Sequence, residues 1–278
     1  MKYIKGIFAF LVVLSFASCD SDKFNIEDYY GNRDAGIAFL EENKDKEGVT
    51  TTSSGLQYEV IEEGEGEFTQ EVDVVKTRYK SSLIDGTTLY NNMSADIEEI
   101  AYSQVNFLLD GVIEGLKLMN VGSTYKFYIP YELAYGEFKI GSEIDPFSVV
   151  IVEIELVENF FTDNAQKEGV FVTGSGLQYE IIEEVEGDYP LEDSKVKVHY
   201  HGTTIEGQVF DSSVDRGAPS EFYVNQVIDG WVEGLQLMTP GSKYKFYIPY
   251  DLAYGENGNG AIPPFAPLIF EIELIEIL

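Results

Sequence analysis

Alternation of apolar and polar side chains is the clearest pattern along the chain. Val196, Val198 and Tyr200 alternate with Lys195, Lys197, His199 and His201, and Phe270, Ile272 and Leu274 alternate with Glu271, Glu273 and Ile275. A period of two places each set on one face, so both segments read as half-buried strands. Gly241 and Gly255 punctuate the turns between apolar runs. One stretch breaks the pattern. Val227, Trp231, Leu235 and Met238 recur at spacings of three or four, which predicts a short helix with one buried face. An antiparallel sheet wrapped on one short helix follows, an α+β arrangement. Upstream, residues 25–46 lack proline and carry Ile37, Phe39 and Leu40 among charges, which predicts a short helix or spacer.

The pattern occurs twice. Lys46-Glu47-Gly48-Val49 and Ser54-Gly55-Leu56-Gln57-Tyr58-Glu59 return as Lys167-Glu168-Gly169-Val170 and Ser175-Gly176-Leu177-Gln178-Tyr179-Glu180. Asp110-Gly111-Val112-Ile113-Glu114-Gly115-Leu116 matches Asp229-Gly230-Trp231-Val232-Glu233-Gly234-Leu235. Tyr125-Lys126-Phe127-Tyr128-Ile129-Pro130-Tyr131 is repeated without change at 244–250. A period of about 120 residues is a whole domain rather than a solenoid repeat. The expected organisation is a signal at 1–18, a lipidated spacer or helix at 19–48, a first domain at 49–158, a linker at 159–169 and a second domain at 170–278.

Composition narrows the classes of function. A chain of 278 residues suits two ordinary domains, and 44% hydrophobic with 14% aromatic residues supplies packed cores rather than disorder. With 49 acids against 18 bases the formal charge is -31, which repels phosphate backbones and argues against nucleic acid as a partner. Acid pairs such as Glu62-Glu63 and Glu183-Glu184 read as solvated faces.

The N-terminus carries Lys2 and Lys5, then a short apolar run at 6–16, then Ala17-Ser18-Cys19. That order is a secretory signal, and the run is too short for a stable transmembrane helix. Cys19 is the single cysteine, so no disulfide can form within the chain. Phe16-Ala17-Ser18-Cys19 resembles a bacterial lipobox, which implies cleavage before Cys19, diacylglycerol on its thiol and a membrane-tethered protein of the cell envelope. The alternative is an ordinary signal with an incidental cysteine.

The second repeat carries the most specific blocks. These are the run 198–213 (Val-His-Tyr-His-Gly-Thr-Thr-Ile-Glu-Gly-Gln-Val-Phe-Asp-Ser-Ser), Arg216-Gly217, Gln226-Val227-Ile228-Asp229-Gly230-Trp231, Asp251-Leu252-Ala253-Tyr254-Gly255, Ile262-Pro263-Pro264 and Leu268-Ile269-Phe270. In this order and spacing, over about a hundred residues, they resemble the FKBP-type peptidyl-prolyl cis-trans isomerases. The resemblance implies two tandem FKBP-like domains, proline-containing polypeptides as partners, and no cofactor or metal. It also implies a pocket with Trp231 as floor and Tyr200, Phe210, Val227, Ile228, Ile262 and Phe270 as apolar walls. Tyr254 would offer its hydroxyl and Ile228 its backbone N–H to substrate carbonyls. Asp211 would stand at the rim with Arg216 as its ion-pair partner. Ser220 after Pro219 departs from small eukaryotic members, which have an aromatic there, and implies a more open wall.

Residue by residue, plainer readings stand beside these. Val198, Tyr200, Phe270 and Trp231 would be core in any sheet protein, and Asp211-Ser212-Ser213 could be turn chemistry. His199 and His201, the only histidines, lack further ligands in sequence and read as exposed strand residues rather than a metal site. The first repeat keeps Tyr79, Tyr135 and Ile144 but has Val112 for Trp231, Leu89 for Phe210, Tyr90 for Asp211, Asp145 for Pro263 and Val152 for Phe270. Core letters persist while pocket letters change, so the first domain is expected to keep the fold without efficient isomerisation. The rival to an enzyme is a chaperone-like or ligand-binding lipoprotein with vestigial activity.

Overall fold

The computed structural model describes residues 25–278 except 70–73, 98–99, 101 and 106–107. The chain divides into two compact units, one ending at Phe160 and the other comprising Phe161–Leu278. Both are α+β, and both are built from the same elements.

In the first unit a short 3-10 turn leads into α1 (Tyr30–Asn43), followed by β1 (Val49–Thr51), β2 (Gln57–Glu62), β3 (Val74–Leu83), β4 (Thr88–Asn91), β5 (Ser103–Gln104), α2 (Asp110–Leu116), β6 (Thr124–Ile129) and β7 (Val150–Asn159). The sheet order is β1-β2-β6-β7-β3-β4, with β5 pairing the opposite end of β3. The chain then runs into α3 (Phe160–Ala165), β8 (Val170–Val172), β9 (Gln178–Glu183), β10 (Lys195–Thr203), β11 (Val209–Ser212), β12 (Ser220–Tyr223), α4 (Asp229–Leu235), β13 (Lys243–Ile248) and β14 (Leu268–Ile277). The order β8-β9-β13-β14-β10-β11, with β12 on β10, repeats the first sheet. All the pairings are antiparallel.

The period-two reading fits the central strands. Val196, Val198 and Tyr200 on β10, with Phe270, Ile272 and Leu274 on β14, are buried in one cluster under α4. The helix is shorter than the spacing predicted. It has seven residues, so Val227 lies before it, half-buried, and the fully buried Met238 lies after it. Its two glycines explain how it sits so low. A Cβ at Gly230 would lie 2.5 Å from Ile248, and one at Gly234 would lie 2.7 Å from the Phe246 ring. A helix with side chains there could not reach the sheet.

Two stretches that precede the sheets are fastened to them by side-chain hydrogen bonds. Residues 25–46, expected as a short helix or spacer, contain α1, whose Gly36 lies against Val149 and whose buried Asn43 donates to Gln57 Oε1 at 3.0 Å. Gln57 in turn donates to the Leu40 carbonyl at 2.8 Å. Residues 159–169, expected as a linker, contain α3 and the same arrangement. Asn164 donates to Gln178 Oε1 and Gln178 donates to the Phe161 carbonyl, each at 2.8 Å. Lys46 and Lys167 close the two clasps by donating to Asn43 and Asn164. Buried amides must find partners, and these find each other across the helix-strand junction.

The expected signal at 1–18 and Cys19 lie outside the described residues. Among the described residues no helix is long and apolar enough to cross a membrane.

Candidate functional site

The second unit gathers the residues singled out above between α4 and the inner face of its sheet. Tyr200 comes from β10, and its next inward neighbour is Gly202. Gly202 stands opposite Asp211 on β11 and opposite Phe270 on β14. The β10–β11 register shifts between Gly202 and Thr203, which pair with Asp211 and Val209 and leave Phe210 as the extra residue. Such a bulge breaks the inward-outward alternation. It accounts for how the consecutive residues Phe210 and Asp211 both serve one site.

Trp231, 5% exposed, is the hub. The rings of Tyr200, Phe222 and Phe270 meet it edge-on, with centroids at 5.2, 5.6 and 5.1 Å and interplanar angles of 80, 87 and 84°. Phe210 meets Phe270 edge-on at 5.4 Å. Edge-to-face contacts align ring quadrupoles favourably and add to the burial term. Ile262 belongs to the same buried cluster, and Val227, Ile228 and Tyr254 pack against it. Ile228 is also the N-cap of α4.

Charge enters only at the edge. Tyr200 Oη donates to Asp211 Oδ2 at 2.5 Å, Arg216 Nη1 pairs with Asp211 Oδ1, and Arg216 Nη2 donates to Tyr200 Oη at 2.8 Å. Burial alone would raise the Asp211 carboxyl, but the bonds from Tyr200 and Arg216 outweigh it and hold it below the usual carboxylate range. Burial and the bond to Asp211 push the Tyr200 phenol upward, so it stays protonated.

Three features were not foreseen from sequence. Phe222 was missed, although it lies two residues after Ser220 on the same strand face. Ser220 itself accepts from Arg216 Nη2 at 3.4 Å. His199 and His201 are half-buried rather than exposed. Their Nδ1 atoms lie 3.2 Å from Ser213 Oγ and 3.0 Å from Ser212 Oγ, fastening β10 to the loop that carries Arg216. Among the described residues no three potential metal ligands come together. Finally, Phe265 has a left-handed backbone, φ 55°, and its N–H donates to the Gly255 carbonyl at 2.9 Å. That bond ties the loop of Ile262 to the loop of Tyr254. Phe147 and Gly136 repeat it in the first unit.

The first unit keeps the frame and changes the lining. Ser81 stands opposite Val152 and Tyr90, as Gly202 stands opposite Phe270 and Asp211. Tyr90 stacks on Tyr79 with centroids 4.7 Å apart. Val112 occupies the helix position of Trp231.

Comparison with known proteins gives a consistent picture. The model of the family described as "FKBP-type peptidyl-prolyl cis-trans isomerase" matches residues 65–157 and 187–275, well over half of the chain. A second model, "Domain amino terminal to FKBP-type peptidyl-prolyl isomerase", matches residues 20–60 and 153–181, each of which includes one of the amide clasps. The "FKBP-type 22 kDa peptidyl-prolyl cis-trans isomerase" of Escherichia coli is 57% identical over 120 residues, covering 43% of this chain and 58% of that protein. The "Probable FKBP-type peptidyl-prolyl cis-trans isomerase" of Haemophilus influenzae is 36% identical over 201 residues, covering 72% of this chain and 83% of that one. The "Outer membrane protein MIP" of Legionella longbeachae is 47% identical over 119 residues, covering 42% and 51%. The chain spans about half the length of the first and third of these relatives.

Proposed function

Since the chain belongs to the FKBP-type peptidyl-prolyl cis-trans isomerases, we propose that it interconverts cis and trans X–Pro bonds in polypeptides, mainly through its second unit. The observation that carries this is the aromatic box around Trp231 with one locked carboxylate at its rim. Rotation about an amide faces a barrier of roughly 18–20 kcal/mol because the C–N bond has double-bond character. Water favours the planar, charge-separated amide over the twisted one. A dry aromatic slot therefore binds the twisted state better than water solvates it, which is differential binding of the transition state.

In this reading the proline ring lies over Trp231, between Tyr200, Phe210 and Phe270, with Val227 and Ile262 completing the walls. The Tyr254 hydroxyl and the Ile228 N–H hold the carbonyls on either side. Asp211, kept ionised by Tyr200 and Arg216, faces the twisting amide. No nucleophile is required, because no covalent bond is made or broken. The Trp231 indole Nε1 has no hydrogen-bond partner among the described residues, which leaves one donor for the substrate.

The same reading extends to location. The basic start, apolar run and Ala17-Ser18-Cys19 support export and lipidation at Cys19, tethering the protein to a membrane of the cell envelope, where newly exported proteins are the clients. The name of the Legionella relative points to the same compartment. A charge of -31 disfavours nucleic acid.

For the first unit a second reading is favoured. Val112, Val152 and Leu89 replace the aromatic floor and walls, and Tyr90 replaces the carboxylate, so this unit binds polypeptide without efficient turnover.

Exchange spectroscopy on a prolyl tetrapeptide, with the full chain and with Trp231→Val and Asp211→Ala, tests the assignment. Both variants are expected to lose most of the exchange. Full activity in either one removes the second unit from the mechanism.

A further inference from the structure

Resting on the reading that the first unit binds without turnover, we propose that the inner face of its sheet, beside α2, takes an extended polypeptide presenting a bulky apolar side chain, such as phenylalanine, where the second unit takes a proline ring.

The lining changed as a set. A Cβ at Gly202 would lie 2.7 Å from Phe270 and 2.8 Å from Phe210, so the second unit tolerates no side chain there. The first unit carries Ser81 at that place, and the shorter Val152 and Leu89 leave room for it. Val75 pairs with Ser103 on β5 where Val196 pairs with Phe222 on β12, so a third ring is absent as well. With Val112 for Trp231, four aromatic rings have become Leu89, Ser103, Val112 and Val152. A flat-sided slot stacks a rigid five-membered ring. A cup of branched aliphatic groups has no flat floor, and it makes more contact with a longer side chain that can turn to fill it.

The rim changed in the matching sense. Asn92 N–H donates to the Tyr79 carbonyl as Ser213 N–H does to that of Tyr200, which puts Ala95 at the place of Arg216. Asp211 is replaced by Tyr90, 40% exposed and stacked on Tyr79. Tyr79 is raised by burial and then by the nearness of Tyr90 and Tyr135, so the three phenols converge, and burial pushes Tyr135 up to about 12. Tyr79 and Tyr135 are thereby held neutral at physiological pH. Phenols can bond peptide groups along an extended chain without the cost of desolvating a charge. Beneath them Ser81 Oγ, 2% exposed, has no hydrogen-bond partner among the described residues, so the cup retains one polar atom for its ligand.

The test uses the full chain, labelled at valine methyls. Two peptides are titrated, acetyl-Ala-Ala-Phe-Ala-Ala-amide and its proline counterpart. Trp231 is the only tryptophan, so its emission reports the second site alone. The phenylalanine peptide is expected to shift the Val112 and Val152 methyl signals at concentrations that leave Trp231 emission unchanged. Val112→Phe, which fills the cup and is read at the Val152 methyls, and Tyr90→Ala, on the exposed rim, should each weaken that response about tenfold. The proposal is overturned if the peptide leaves both methyl signals unmoved, if the proline peptide displaces it from them at lower concentration, or if neither variant alters the response. The two readings fail separately. Prolyl exchange that survives Trp231→Val undoes the assignment of activity to the second unit, whereas silent Val112 and Val152 signals undo this proposal alone.

Discussion

Gly202 faces Phe270 across the β10–β14 ladder, and a single carbon added at Gly202 would stand 2.7 Å from the Phe270 ring. The site is thus shaped by an atom that is missing as much as by the rings that are present. Gly202→Ala is expected to push Phe270 and Phe210 into the slot. Exchange at the prolyl bond should fall about tenfold or more, and forcing the two rings aside at this buried position should cost about 1–3 kcal/mol of stability. Comparing exchange rates with the melting curve checks this. A variant with unchanged exchange would show that the slot is wider than its walls imply.

Arg216 is a second position at which the proposed site can be tested. It grips Asp211 and Tyr200 with different nitrogens, a two-handed contact that a lysine cannot reproduce. Arg216→Lys should therefore lower exchange several-fold and let the Asp211 carboxyl rise toward its ordinary value, read from side-chain carboxyl shifts across a pH series. A carboxyl that titrates as in the parent would contradict the role given to Arg216.

The sign of the Asp211 shift sets an acid limit. A carboxyl depressed in the folded state stabilises fully above its unfolded value, near 4, and loses that contribution as pH falls through the lower folded value. As far as this group decides, exchange and stability should be flat between about pH 5 and 8 and decline below about pH 4. Rates measured across that range, beside Asp211→Asn, separate this group from the other acids.

The amide clasp predicts a structural effect remote from the slot. Gln178→Ala leaves the buried Asn164 amide and the Phe161 carbonyl without their partner. The expected loss is about 1–3 kcal/mol of stability, visible as a lower urea midpoint in Trp231 emission. A midpoint equal to that of the parent would mean that water replaces the missing amide.

Much of this architecture was legible in the chain itself. The alternation of β10 and β14, the twin Asp-Gly helices and the block containing Trp231 gave the sheet, the repeat and the residues that the fold gathers around Trp231. What escaped notice arises from interactions that periodicity does not encode. The bulge at Phe210 breaks the two-residue rule at the very place where two neighbours must face one way. Phe222 reaches Trp231 from a strand of four residues, too short to show alternation. Asn164 and Gln178, fourteen positions apart, look like polar loop residues until the helix turn brings them together. His199 and His201 read as exposed because nothing in the sequence announces the serines that bond them.

The clasp also bears on how such a gene can be rearranged. Each copy closes its helix turn onto its sheet with the same asparagine, glutamine and lysine. An unequal crossover between the two halves, anywhere downstream of the clasp, would join one copy's helix turn to the other copy's strands with no orphaned amide at the seam. A cut that begins a fragment at Val170 would instead sever the reciprocal pair. The module that keeps its clasp intact when a copy is gained or lost is the sheet together with the last turn of the helix before it.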